Sequence, residues 1–241
     1  MDKTYFFISD IHLGLQTQEE EKEKEEKLVR FLEFALQECD ELYILGDLFD
    51  YWFEYRRVIQ RGFIKTLAAL EKLTCNGKKV HYIIGNHDFL HRDFFEKEIG
   101  AILYYDPITV ELNHKKFFLG HGDGLIGNDL GYKILKKILR NPFLQWMFSL
   151  IHPDLGIKIA SSSSKKSREY TNTKNYGAKD SLFNVAQRKI DEGMDYVMFG
   201  HSHRRVFKSY KDGFYVNLGT WLKTPCYGKF SNNEFEIIDW N

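Results

Sequence analysis

Val80-His-Tyr-Ile-Ile-Gly-Asn-His-Asp88 is an apolar run that stops at a glycine and then presents three polar side chains, Asn86, His87 and Asp88. Read as a buried strand over Val80–Ile84, it puts that polar group on the loop just past the strand. Working outward, the same device recurs. Tyr5–Ile8 precedes Ser9-Asp10-Ile11-His12, and Leu42–Leu45 precedes Gly46-Asp47. Lys116–Leu119 precedes Gly120-His121-Gly122-Asp123, and Tyr196–Phe199 precedes Gly200-His201-Ser202-His203. The intervals carry helical spacing: Leu28, Phe31, Leu32, Ala35 and Leu36 on one face, then Phe63, Leu67, Leu70 and Leu73 up to Asn76-Gly77. Further strands are predicted at Ile102–Tyr104, Ile108–Leu112, Val206–Tyr210, Phe214–Leu218 and Phe235–Ile238, with one helix over Ser181–Glu192. Strand–helix units followed by hairpins predict an α/β fold of two sheets flanked by helices.

Composition narrows the class. The 241 residues are 43% hydrophobic and 16% aromatic, enough for a sizeable core. Lys+Arg and Asp+Glu are both 34, so the net charge is zero and a nucleic-acid partner is not expected. Cys39, Cys75 and Cys226 are odd in number and lack CxxC spacing, which argues against a disulfide framework or a zinc knuckle and suits a reducing compartment. The start has no signal-peptide run, and no stretch reaches the ~18 apolar residues of a membrane span. A cytoplasmic protein is expected.

Residues 125–176 depart from the strand–helix scheme. They read as two or three helices with a Ser/Lys-rich loop and carry nine Lys/Arg against three acids, so the rest of the chain is net acidic. The expected division is therefore a core of residues 1–124 and 177–241 with a basic helical insertion at 125–176. Within it, Phe143–Ile151 is apolar except for Gln145 and Ser149. It is either a helix buried between insertion and core, or a wall for acyl chains or a membrane surface, with Lys133, Lys136, Lys137 and Arg140 facing phosphates or anionic headgroups. Glu19–Lys27, six Glu and three Lys, reads as a solvated loop or first helical turn without a function.

Strand carboxyl ends share one rim in α/β sheets, so the five polar groups converge. Asp10, His12, Asp47, Asn86, His121, His201 and His203 are then candidate metal ligands. Imidazole and hard oxygen without thiolate suit Mn, Fe, Zn or Co. Seven ligands exceed one ion's needs. Two ions sharing a bridging carboxylate resolve the count, and such a pair clamps both oxygens of an in-line displacement and acidifies a bound water.

The series Asp-x-His, Gly-Asp, Gly-Asn-His-Asp, Gly-His-Gly-Asp and Gly-His-x-His resembles the calcineurin-like metallophosphoesterase superfamily. The resemblance implies a four-layer α/β/β/α sandwich with a helical insertion cap and two divalent metals, Mn2+ being the expectation. Asp10, His12 and His203 would hold one metal, Asn86, His121 and His201 the other, and Asp47 would bridge. His87 would sit beside the scissile phosphate, oriented by Asp88. Gly46-Asp-Leu-Phe-Asp-Tyr-Trp52, Asn141-Pro-Phe-Leu-Gln-Trp146 and the basic insert after His-Gly-Asp are similar to the UDP-2,3-diacylglucosamine hydrolase family of lipid A synthesis. That similarity implies two-metal hydroxide attack on the pyrophosphate of a nucleotide sugar-lipid, with substrate contacts from Asn86, His87, Asp129, Ser167, Thr171, Lys174 and His201. It also implies a peripheral position on the inner face of the cytoplasmic membrane. His87 stands where the best-known branch has Arg, and Thr171 where the family usually offers Asn. Other phosphodiesterases of the superfamily, nucleases or cyclic-nucleotide enzymes, and a non-enzymatic scaffold remain alternatives.

Overall fold

The computed structural model describes residues 2–88, 90–125, 137–139, 141–159, 162 and 181–241. Three short apolar strands come first: β1 Tyr5–Ile8, β2 Glu41–Ile44 and β3 Lys79–Ile83. They alternate with two amphipathic helices, α1 Gln18–Glu38 and α2 Ile64–Cys75. A single π-helical turn, Phe95–Ile99, leads to β4 Ile102–Tyr104. The hairpin β5 Ile108–Leu112 and β6 Lys115–Leu119 opens the second sheet. After α3 Pro142–Phe148 and α4 Ser181–Asp191 come β7 Tyr196–Phe199, β8 Arg205–Tyr210, β9 Gly213–Leu218, β10 Cys226–Ser231 and β11 Glu234–Asp239.

The strand orders are β11-β10-β1-β2-β3-β4 and β5-β6-β7-β9-β8. The strands β1 to β4 are mutually parallel, and so are β6, β7 and β9, with antiparallel partners at the edges. Burial follows from this. Leu28, Phe31, Leu32 and Ala35 of α1 and Leu67, Leu70 and Leu73 of α2 cover the outer face of the first sheet. Phe7, Tyr43, Phe117, Met198 and Val216 pack between the sheets, and Leu182, Val185 and Ala186 of α4 cover the outer face of the second. The result is the four-layer α/β/β/α sandwich.

Some elements depart from the sequence reading. Of the two readings of the charged run Glu19–Lys27, the helical one holds, but it fills more than two turns at the start of α1, capped by Thr17 with Glu20 in a capping box. Lys24 within it is buried. Strand β10 was not expected, because its alternation is broken by Gly228. That glycine lies under the Phe235 ring, where an added Cβ would come within 2.7 Å. The apolar helix is not buried: α3 has no buried residue, and Phe143, Trp146, Met147 and Leu150 are 63%, 53%, 49% and 68% exposed. Phe148 is its hold on the core, its ring tilted against that of Phe53 with centroids 4.7 Å apart. Among the described residues, no helix is long and apolar enough to cross a membrane.

Candidate metal centre

Each parallel strand β1, β2, β3, β6 and β7 ends at the same rim, where its following loop turns sharply. Asp10, His12, Asp47, His201 and His203 all have φ between 51° and 65°. Non-glycine residues rarely occupy this left-handed region, and such strain gathers where side chains are held for a task. The glycines before the polar residues make room for it. A Cβ on Gly85 would lie 2.1 Å from Asp47 Oδ1, and one on Gly200 would lie 2.3 Å from Asp10 Oδ2.

The side chains converge as the rim requires. His12 Nε2 and His203 Nε2 are 3.0 Å apart, and His203 Nε2 is 3.2 Å from Asp10 Oδ1. Asp47 Oδ2 lies 3.7 Å from His12 Nε2 and 3.2 Å from His121 Nε2, between the two imidazoles. Asn86 Oδ1 is 3.0 Å from His121 Nε2, and the His121 and His201 rings are 5.2 Å apart at their centroids. All seven candidate ligands therefore meet. Asp10, His12, Asp47 and His121 are fully or almost fully buried, whereas the His203 side chain is 36% exposed at the mouth.

His121 tests whether a cation fits. Its Nδ1 donates to the Leu45 carbonyl at 2.8 Å, which aims Nε2 at Asn86 Oδ1 and Asp47 Oδ2. Burial disfavours an imidazolium here, yet the Asp47 charge and hydrogen bond raise its pKa well above the ordinary value. Three donor atoms thus point at one another, and a divalent ion between them satisfies the set. Burial also opposes charge on Asp10 and Asp47. The imidazoles of His12 and His203 still hold Asp10 low, and the His121 and His87 charges hold Asp47 well below the usual carboxylate range. His12 and His201 are pushed down, chiefly by burial, His201 to about 4. Burial is outweighed at His203, where Asp10 raises the pKa. Ionised carboxylates beside imidazoles, whose ring nitrogens exchange a proton for the metal on binding, form a donor set for divalent cations. Donor atoms of Asp10, His12 and His203 lie within 4.8 Å of one another, as do those of Asp10, Asp47 and His121. A third such set is His12, Asp47 and His87.

His87 stands at the edge of the cluster, its ring against His12 at 5.0 Å. The expectation that Asp88 orients it needs correction. Asp88 is buried and accepts from Gly85 N, Leu48 N and the Tyr82 hydroxyl, so it ties the β2 and β3 loops together. Burial and the neighbouring Asp47 charge raise its pKa. His87 Nδ1 instead faces the Asp50 carbonyl oxygen at 3.1 Å. Asp50 escaped the sequence reading although it lies in Gly46–Trp52. It is buried, and its Oδ1 is 3.8 Å from His12 Nδ1 and 3.9 Å from His87 Nδ1. A second acid three positions after Asp47 was the available signal. Asp129, Ser167, Thr171 and Lys174 lie outside the described residues, as do Lys133, Lys136 and Arg140.

An α/β/β/α sandwich with imidazoles, carboxylates and an amide at five strand ends is built for metal-dependent phosphoryl chemistry. The chain belongs to the calcineurin-like phosphoesterase family, which it matches over residues 3–205. The UDP-2,3-diacylglucosamine hydrolase of Porphyromonas gingivalis is 31% identical over 245 residues, covering 94% of both chains. The Photorhabdus laumondii protein of the same name is 32% identical over 243 residues, covering 96% of this chain and 97% of the relative. Among solved structures, an archaeal phosphodiesterase shares the fold with a TM-score of 0.52 at 17% identity, covering 98% of this chain and 99% of its own.

Proposed function

We propose that this chain hydrolyses the pyrophosphate of UDP-2,3-diacylglucosamine to UMP and 2,3-diacylglucosamine 1-phosphate. The observation that carries this reading is end-to-end similarity to relatives of that name, 31% identical over 94% of both chains. The reaction consumes one water: its oxygen bonds to one phosphorus while the bridging oxygen leaves with the other.

In this reading Asp10, His12 and His203 would hold one divalent ion, Asn86, His121 and His201 a second, with Asp47 between them. Mn2+ suits their oxygen and imidazole donors. Two such ions supply charge for the phosphoryl oxygens and lower the pKa of water towards neutrality. His87, with Nδ1 against a carbonyl, would stabilise charge on the phosphate or protonate the leaving oxygen. Asp88 serves through the backbone it binds. Asn86, His87 and His201, with Asp129, Ser167, Thr171 and Lys174, would contact substrate. Residues 125–176 would be a cap on a core of 1–124 and 177–241. The exposed apolar face of α3 supports its use as an acyl-chain wall, or as a contact with the inner surface of the cytoplasmic membrane.

Incubation of Mn2+-loaded protein with UDP-2,3-diacylglucosamine, followed by phosphorus NMR, tests this reading. The expected products are UMP and a sugar 1-phosphate. No turnover of that substrate, with ready cleavage of a cyclic nucleotide or a nucleic acid, would overturn it in favour of another phosphodiesterase.

A further inference from the structure

The charged run at the start of α1 reaches the metal centre. Lys24 occupies a core-facing position of that helix, in line with Leu28, Phe31, Leu32 and Ala35. Its ammonium donates to the His12 carbonyl at 2.7 Å and to Glu21 Oε1 at 2.8 Å. Glu21 in turn accepts from Gly14 N through Oε2 and from Gln16 N through Oε1, each at 2.7 Å. Two side chains one helical turn apart thus grip three points of the segment Asp10–Gln16. The other side of that segment is laced to the β2 loop: Asp10 N donates to Gly46 O, His12 N to Asp47 O and Leu13 N to Leu48 O.

We propose that Lys24 and Glu21 are positioning residues, a clasp that holds the Asp10–Gln16 turn so that Asp10 and His12 present their donor atoms to a divalent ion. The inference rests on the metal reading above. The need for a clasp follows from the backbone, because Asp10 and His12 have φ of 53° and 51°. Left-handed residues persist only where the surroundings over-determine them. A buried ammonium is costly unless its donors are matched, and here they are matched by the ligand's own carbonyl and by the carboxylate that binds the rest of the turn. An apolar residue at position 24 would extend the buried stripe equally well but could not bind the carbonyl. Neither residue touches the reacting groups; both act through His12 and its turn.

The test is calorimetric titration of metal-free, full-length protein with MnCl2, joined to hydrogen exchange over residues 10–16. Lys24→Met should weaken one of the two Mn2+ sites about ten- to a hundredfold, the range for supports behind a ligand. Exchange at residues 10–16 should quicken without metal while the sheets stay protected, and Lys24→Arg should recover part of the affinity. If Lys24→Met does not fold, Glu21→Gln decides, with an expected weakening of about tenfold or more. Wild-type binding of two Mn2+ with an affinity for Lys24→Met unchanged within about twofold would overturn the clasp alone. A wild type that takes up no Mn2+ would overturn the metal reading and the clasp with it. Exchange that quickens equally throughout the chain would mark an ordinary stability effect and overturn the positioning role.

Discussion

The strand-end cluster and helix α3 are joined by one loop and built on opposite principles. The loop begins at Asp47 in the cluster, passes Asp50 beside His12 and His87, and reaches Phe53, whose ring packs against Phe148 of α3. In the cluster, ligand atoms are aimed by backbone: His121 by the Leu45 carbonyl, Asp10 by the His201 amide, Asp47 by the His87 amide. In α3, large apolar side chains stand in solvent with none buried. Rigid polar groups suit chemistry common to every phosphodiester, whereas an exposed greasy face suits selection of one substrate. Binding energy from remote apolar groups can then position the reacting phosphate.

The largest test of that contrast is Asp47→Ala. Removing the carboxylate between the two imidazole sets should lower turnover of every phosphodiester by at least about a thousandfold, with loss of metal by elemental analysis. Retained activity with full metal content would break the first half of the comparison. His87→Ala should lower the rate about 10²–10⁴-fold with both metals retained, since general acid catalysis or charge stabilisation is worth that much. His87→Arg should recover part of the loss if charge matters most and none if a proton must be given. Kinetics on the two variants separate these cases.

The second half rests on α3. Trp146→Glu combined with Met147→Glu should cut hydrolysis of the diacylated nucleotide sugar about tenfold or more, while a small chromogenic diester is hydrolysed at near the parental rate. Equal loss on both, in a folded variant, would place the helix in the machinery. Equal retention would leave it without a role in substrate choice.

The smallest effect belongs to the far end of β2, where Glu41 holds no catalytic partner. Its carboxylate accepts from His81 Nε2 at 3.1 Å and from Lys3 Nζ at 2.8 Å, and His81 is stacked on Tyr43 at 4.2 Å. The His81 hydrogen bond, working against burial and helped by Lys3, lowers the Glu41 pKa from 4.5 to about 2. That stabilisation is complete above the unfolded pKa and fades as pH falls towards the folded one. Urea unfolding should therefore show Glu41→Gln less stable by about 1–3 kcal/mol at pH 6, with the gap closing between pH 4.5 and 2. Turnover at pH 7 should be unchanged.

The five strand ends were legible because each couples a local pattern, an apolar run, to residues that follow directly in sequence. Gly85 and Gly200 were visible as residues, and their reason is spatial, since Asp47 and Asp10 occupy the room a Cβ would need. What escaped depends on long-range contact. Asp88 follows His87 in the chain, yet its carboxylate turns to Gly85, Leu48 and Tyr82, so adjacency misled. Lys24 is the one buried residue of a charged run, and only the packing of α1 against the Asp10–Gln16 turn, where Glu21 also binds, distinguishes it. The exposure of α3 was open because an apolar nine-residue stretch reads alike whether core or solvent covers it.

Anomalous scattering at the manganese edge, from crystals of Mn2+-loaded protein, tests the central claim most directly. Two peaks about 3.5–4 Å apart are expected, one against Asp10, His12 and His203, the other against Asn86, His121 and His201, with Asp47 reaching both. A single peak, or manganese bound away from these strand ends, would contradict the account.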